Sequence, residues 1–265
     1  MKTINRNKIV LLSILLLYFW RNYFSLQNLP DELVTDDIFP LKLAVFLKNY
    51  IIYIYILWLV FSLAAIVKRT SVYIISLTTV LFMLLCGVYN SIGHVFHTDI
   101  IPIFALIAIN LATILKNKSE EKYFLILISN VYFISGISKL MNNYSDWLNG
   151  DALLFSILYN KITRSDNFGL IHGYAQDAVG SAIELFAIFS TIVLLLELSA
   201  PAIAYYNKRF FSVLFFLFHV LNYFLFGLKF FEYYIILIFL NFDLIQTKTI
   251  ALFRFKNIPY KDGCD

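Results

Sequence analysis

Apolar positions in this chain fall in long, nearly unbroken runs separated by short polar links, and neither strict alternation nor a one-sided stripe dominates. A helix crossing lipid needs roughly 20 apolar residues, with about 17–25 the usual range. Eight runs meet or approach that length: residues 9–24, 50–67, 71–88, 100–115, 123–141, 181–205, 210–228 and 230–244. The pattern predicts an all-α polytopic membrane helix bundle of about eight spans, a single transmembrane domain over residues 1–265.

Composition strengthens that reading. With 60% hydrophobic and 14% charged residues and a mean hydropathy of +0.76, the chain is too apolar and too poor in charge for a soluble domain. The net charge of +4 does not point to nucleic acid, because the basic residues sit in small groups at the ends of apolar runs rather than in one patch. Lys2, Arg6 and Lys8 before the first run resemble a secretory signal, yet no small-x-small cleavage pattern follows Trp20, so an uncleaved first span is expected. Cys86 lies inside an apolar run and Cys264 near the C-terminus, which gives no disulfide framework.

Charge also orients the bundle. Alternate connections on one side hold fourteen basic residues (Lys2, Arg6, Lys8, Lys68, Arg69, Lys116, Lys118, Lys122, Lys208, Arg209, Lys248, Arg254, Lys256 and Lys261), whereas the other side holds six: Arg21, Lys42, Lys48, Lys161, Arg164 and Lys229. Basic excess marks the cytoplasmic face, so both termini are expected there. Between the fifth and sixth runs, Trp147, Gly150, Leu153, Leu154, Ile157 and Leu158 recur at spacings of three and four. That spacing predicts an amphipathic helix over 147–158 lying in the outer interface. Ser181 and Glu184 have the spacing of a capping box ahead of the sixth run.

Lys139, the remaining basic residue, falls inside the fifth run. An ammonium in hydrocarbon costs roughly 2.5–3.5 kcal/mol on insertion scales, so it requires a partner, a wet cavity or a task; snorkelling to the headgroups is the structural alternative. Helical spacing sets Tyr132, Gly136, Lys139 and Asn143 on one face, with Lys139 about 24 Å from the inner end at ~1.5 Å per residue. His219 and Asn222 stand one turn apart in the seventh run. A lysine and an imidazole are the groups most readily tuned to exchange protons near neutrality, and a lysine base facing His219 across an outward-opening apolar cavity is the expected centre. Glu197, in the inner half of the sixth run, reads instead as a polar tie between helices. His94 and His97 lack a third ligand at readable spacing, so no metal is expected.

The elements Tyr132-Phe-Ile-Ser-Gly-Ile-Ser-Lys139, Trp147-Leu-Asn-Gly150, Leu194-Leu-Leu-Glu-Leu-Ser-Ala200 and Phe216-Leu-Phe-His-Val-Leu-Asn222 with Phe226 resemble the membrane domain of vitamin K-dependent gamma-carboxylase and its bacterial relatives, the HTTM proteins. The resemblance covers nearly all eight runs. It implies an integral protein of the bacterial cell membrane in which Lys139 deprotonates a reduced quinone of the menaquinol or vitamin K hydroquinone type. Oxygenation of that quinone generates the stronger base that allows carboxylation of a glutamate side chain. It further implies that His219 acts beside the quinone and that His97, Asn222, Tyr233 and Trp147 help to bind it. Two positions depart from the family pattern: Gly227 is out of register, and Phe96 stands where an asparagine precedes the histidine. The sequence given also ends soon after the eighth run, so the outer soluble domain by which the full carboxylase grips a protein substrate is not expected, nor is carboxylation of a docked protein.

Two other readings stand beside a lyase-type enzyme. One is an accessory membrane protein for maturation of a secreted antimicrobial peptide, of the sporulation-delaying-peptide type, with that peptide as partner. The other is a small-molecule transporter, which the lack of an inverted repeat disfavours.

Overall fold

The computed structural model describes residues 5–27, 41–67, 71–91, 99–116, 119–152, 154–155, 183–226 and 233–242. These residues are helical apart from short links and caps. The helices are α1 (Arg6–Gln27), α2 (Leu41–Val67), α3 (Val72–Ser91), α4 (Ile100–Ile114), α5 (Glu120–Leu148), α6 (Ile183–Tyr206) and α7 (Lys208–Phe226), followed by α8 over 234–242, which Tyr233 enters.

Polar and apolar surfaces are distributed as lipid requires. Exposed positions include Ile52, Ile56 and Leu63 on α2, Ile134 on α5, Leu185 and Leu195 on α6, and Val213 and Leu217 on α7. Buried positions include Thr78, Thr79, Ser129, Ser190, Glu197, Ser212 and His219. A surface this apolar around buried polar groups suits hydrocarbon rather than water. Three helices are long and apolar enough to cross a membrane among the described residues, over Phe46–Val67, Glu120–Asn142 and Leu185–Tyr206. Val72–Val88 and Ile100–Ile114 are apolar but shorter; the latter reaches about 22 Å at ~1.5 Å per residue, against a hydrocarbon core of about 30 Å. The expectation of eight spans thus narrows here to an all-helical membrane protein with three helices that meet the length requirement.

Several boundaries differ from the hydropathy pattern. α2 starts at Leu41, ahead of Tyr50, and takes in Lys42 and Lys48. α5 runs past Met141 to Leu148, so Trp147 belongs to its last turn rather than to a separate outer helix. The chain then turns at Gly150, whose φ is +82°, and resumes a helical turn in which Leu154 N donates to Gly150 O at 3.0 Å. Of the predicted interfacial helix 147–158, Leu153 and the positions beyond Phe155 lie outside the described residues, as does Ser181 of the predicted capping box.

Sequential helices pack as neighbours, and the closest association is between α5 and α6. They are antiparallel: Gly136 meets Glu197 and Leu198, whereas the later Gly150 meets the earlier Phe186 and Ala187. At the end where α5 begins, Arg6 pairs with Glu120 at 3.4 Å and with Glu121 at 3.1 Å, and Lys208 also pairs with Glu121. Arg6 lies 5.3 Å from the centroid of the Phe239 ring. Those contacts join α1, α5, α7 and α8 at one end of the bundle. Deeper in, Phe124 stacks on Phe239 at 4.5 Å, and Asn241 donates to Ser212 Oγ at 2.6 Å, so α8 is held against both α5 and α7.

Candidate functional site

Gly136 decides how closely α5 and α6 approach. A Cβ there would stand 3.1 Å from Leu198 and 3.2 Å from Glu197 Cβ, so a glycine lets the two backbones close to this spacing without displacing either side chain. Closure brings Lys139 onto Glu197: Lys139 Nζ donates to Glu197 Oε1 at 2.5 Å, and Ser135 Oγ donates to the same oxygen at 3.3 Å. The lysine side chain is 19% exposed and the glutamate 6%. Lys139 Nζ also lies over the Trp147 ring, 4.4 Å from its centroid. One ammonium therefore meets a carboxylate and an aromatic face, both of which favour its charge.

This corrects two expectations drawn from depth. Glu197 is not confined to an inner layer apart from Lys139, and the hydrogen-bond partner of Lys139 is Glu197 rather than His219. Side chains on a helix lean toward its N-terminus. On antiparallel helices Lys139 therefore leans toward the start of α5 while Glu197 leans toward the start of α6, and the lean of both chains closes the axial gap that counting Cα positions suggests.

A second cluster lies next to the first. Tyr132, two turns before Lys139 on α5, shares a 2.8 Å hydrogen bond between its hydroxyl and His219 Nε2. The imidazole stacks on Tyr233 with planes 25° apart. Phe215 packs against Tyr132, with ring centroids 4.1 Å apart. The two clusters share α5, which carries Tyr132 and Lys139 on one helical face. Lys139, Glu197, Tyr132, His219 and Tyr233, from four helices, thus form a polar island of two neighbouring clusters inside an apolar bundle.

Of the residues expected at a site, Lys139, His219, Tyr233 and Trp147 come together here. Asn222 is half-buried one turn beyond His219. His94 and His97 lie outside the described residues. Glu197 was read as a polar tie between helices, as its bonds across to Lys139 and Ser135 on α5 bear out, whereas Tyr132 was placed on the helical face of Lys139 but given no role. Glu197 Oε2 is buried and accepts no hydrogen bond among the described residues, which leaves the island one open acceptor. Comparison with family models, curated proteins and solved structures found no match for the chain.

Proposed function

We propose that this chain is an integral membrane protein that exchanges protons with a reduced quinone at the polar island between α5, α6, α7 and α8. The observation that carries the reading is that island. An ammonium, a carboxylate, an imidazole and two phenols converge from four helices within an apolar interior, and such groups are retained inside membranes mainly for ion or proton pathways or for binding. A hydroquinone supplies a weakly acidic O–H and a pair of electrons. The residues fit such a group, because the buried Oε2 of Glu197 is an acceptor in want of a donor and the His219–Tyr233 stack offers flat aromatic surface. Glu197 holds Lys139 in place and can take a proton through Oε2, while Tyr132 orients the imidazole of His219 by its Nε2 contact. The resemblance to the membrane domain of gamma-carboxylases assigns the base role to Lys139. That role requires the Lys139–Glu197 pair to share or pass on the proton that the ammonium now carries.

Extraction of the gently purified protein, with quinone analysis by mass spectrometry, tests the binding step. Bound quinone that disappears in Glu197→Gln and His219→Phe supports the proposal, and a quinone-free protein in a quinone-containing host overturns it.

One observation favours a second reading, in which the pair is a clamp between helices: Lys139 and Glu197 sit beside Gly136, where α5 approaches α6 tightly. Exchanging the charges, Lys139→Glu with Glu197→Lys, separates the two. Under the clamp reading the exchange restores thermal stability and leaves nothing further to lose; under the proton-transfer reading stability returns while quinone retention does not.

The same proposal takes eight crossings with both termini cytoplasmic, on the strength of the charge asymmetry between alternate connections. Alkaline phosphatase joined after Ile171 is then active and joined after Lys118 inactive; the reverse result removes the orientation.

A further inference from the structure

The end of the bundle where the basic residues gather holds a second feature. Between the first turn of α5 and the α6–α7 corner lies an open pocket of about 670 Å³, lined among others by Ser119, Glu121, Lys122, Tyr205, Lys208 and Arg209. Three cations thus face one carboxylate. Glu121 is already paired with both Lys208 and Arg6, whereas Lys122 and Arg209 are exposed and have no carboxylate partner among the described residues. The corner is rigidly built, because Asn207 Oδ1 accepts from the backbone N–H groups of Arg209 at 3.1 Å and of Phe210 at 3.0 Å, capping α7. This leaves the Arg209 guanidinium, not the helix end, as the anion-binding group.

We infer that this pocket binds the phosphate headgroup of an anionic phospholipid. Three observations select a lipid over a free anion. The pocket sits where two membrane-crossing stretches end, at Glu120 on α5 and at Tyr206 on α6. Tyr205 and Tyr206 are 87% and 85% exposed there, the amphipathic aromatic placement typical of the lipid–water boundary. Directly after Arg209, the exposed side chains of Phe210, Val213, Leu217 and Leu221 form a ridge along one face of α7, a track on which an acyl chain can lie while Lys122 and Arg209 engage the phosphate. The bidentate fork of arginine and the point charge of lysine together match phosphate oxygens. A pocket of this volume falls within the usual range for bound small groups, roughly 300–1,000 Å³.

The test measures lipid retention on the detergent-purified protein by native mass spectrometry, together with thermal unfolding. Phosphatidylglycerol, phosphatidylcholine and inorganic phosphate serve as the three additives. Each basic residue at an anionic lipid surface contributes about fivefold in affinity, so Lys122→Gln with Arg209→Gln is expected to weaken phosphatidylglycerol binding roughly 25-fold. Arg209→Lys, which keeps the charge, and Lys116→Gln, which removes a cation outside the pocket, are expected to retain it. Equal retention of phosphatidylcholine and phosphatidylglycerol overturns the inference, as does undiminished phosphatidylglycerol binding by the double variant. Protection by inorganic phosphate equal to that by the lipid overturns the lipid assignment.

Discussion

Truncating the two members of the α5–α6 ion pair should have unequal effects. In Lys139→Ala the Glu197 carboxylate, 6% exposed, is left with the Ser135 hydroxyl at 3.3 Å and an Oε2 that already lacks a partner. Stranding a buried charge typically costs about 3–5 kcal/mol. In Glu197→Ala the ammonium keeps the face of Trp147 at 4.4 Å, worth about 0.5–2 kcal/mol. With 19% of its side chain exposed, Lys139 can also swing its amine toward the polar last turns of α5. The loss should then be nearer 1–2 kcal/mol, so Lys139→Ala is expected to be the more destabilising by roughly 2 kcal/mol. Reversible unfolding in mixed micelles measures both values, and the double variant closes a cycle that isolates the pair. Equal losses, or a larger one in Glu197→Ala, refute the argument, because they place the lysine and not the carboxylate in the drier position. A coupling energy near zero removes the ion pair altogether.

Three further outcomes follow from the packing. Gly150→Ala places a Cβ 2.5 Å from Ala187 N at a φ of +82°, combining about 1–2 kcal/mol of left-handed strain with a backbone clash, and a fall in stability of at least 3 kcal/mol is expected in thermal melts. Gly136→Ala, by contrast, meets only the flexible Leu198 tip and Glu197 Cβ at 3.1–3.2 Å and gains about 1 kcal/mol of helix propensity; a net change within about 1 kcal/mol is expected, and a large loss in the same melt contradicts this packing. Tyr132→Phe removes the 2.8 Å contact to His219 Nε2, should cost about 1–3 kcal/mol and should shift the ring ¹⁵N resonances of His219, which remain unmoved if the phenol is not its partner.

Hydropathy found the helices and misplaced their ends, and the two differ for a physical reason. Backbone hydrogen bonding does not stop where hydrocarbon stops. α2 begins at Leu41 and takes in Lys42 and Lys48, since a cation that ends an apolar run does not end a helix. α5 likewise continues through Asn142, Asn143 and Asp146. It ends only where Asn149 and Gly150 allow the chain to turn, with Gly150 in the left-handed region. A reading based on apolar runs therefore cut α5 short and assigned Trp147 to a second helix. The consequence reached the site, because in the last turn of α5 that ring lies over Lys139.

The polar island was legible one helix at a time and not as an assembly. Spacing along α5 placed Tyr132, Gly136 and Lys139 on one face, and the cost of an ammonium in lipid showed that Lys139 needed a partner. Which partner depends on the register between helices separated by nearly 60 residues, and no local periodicity encodes that. The information lies in Gly136, whose missing side chain fixes the crossing point opposite Glu197, together with the opposed lean of side chains on antiparallel helices. A small residue three positions before an intramembrane cation, facing an acidic residue on the next span, is thus stronger evidence of a pair than equal Cα depth. The same logic explains why His219 was placed against Lys139: both were recognised as costly, but their separate partners, Tyr132 and Glu197, are set by the rotation of α7 and the closeness of α6. An intramembrane cation should therefore be matched first to the carboxylate its helix crossing can reach, and only then to the titratable group its chemistry would favour.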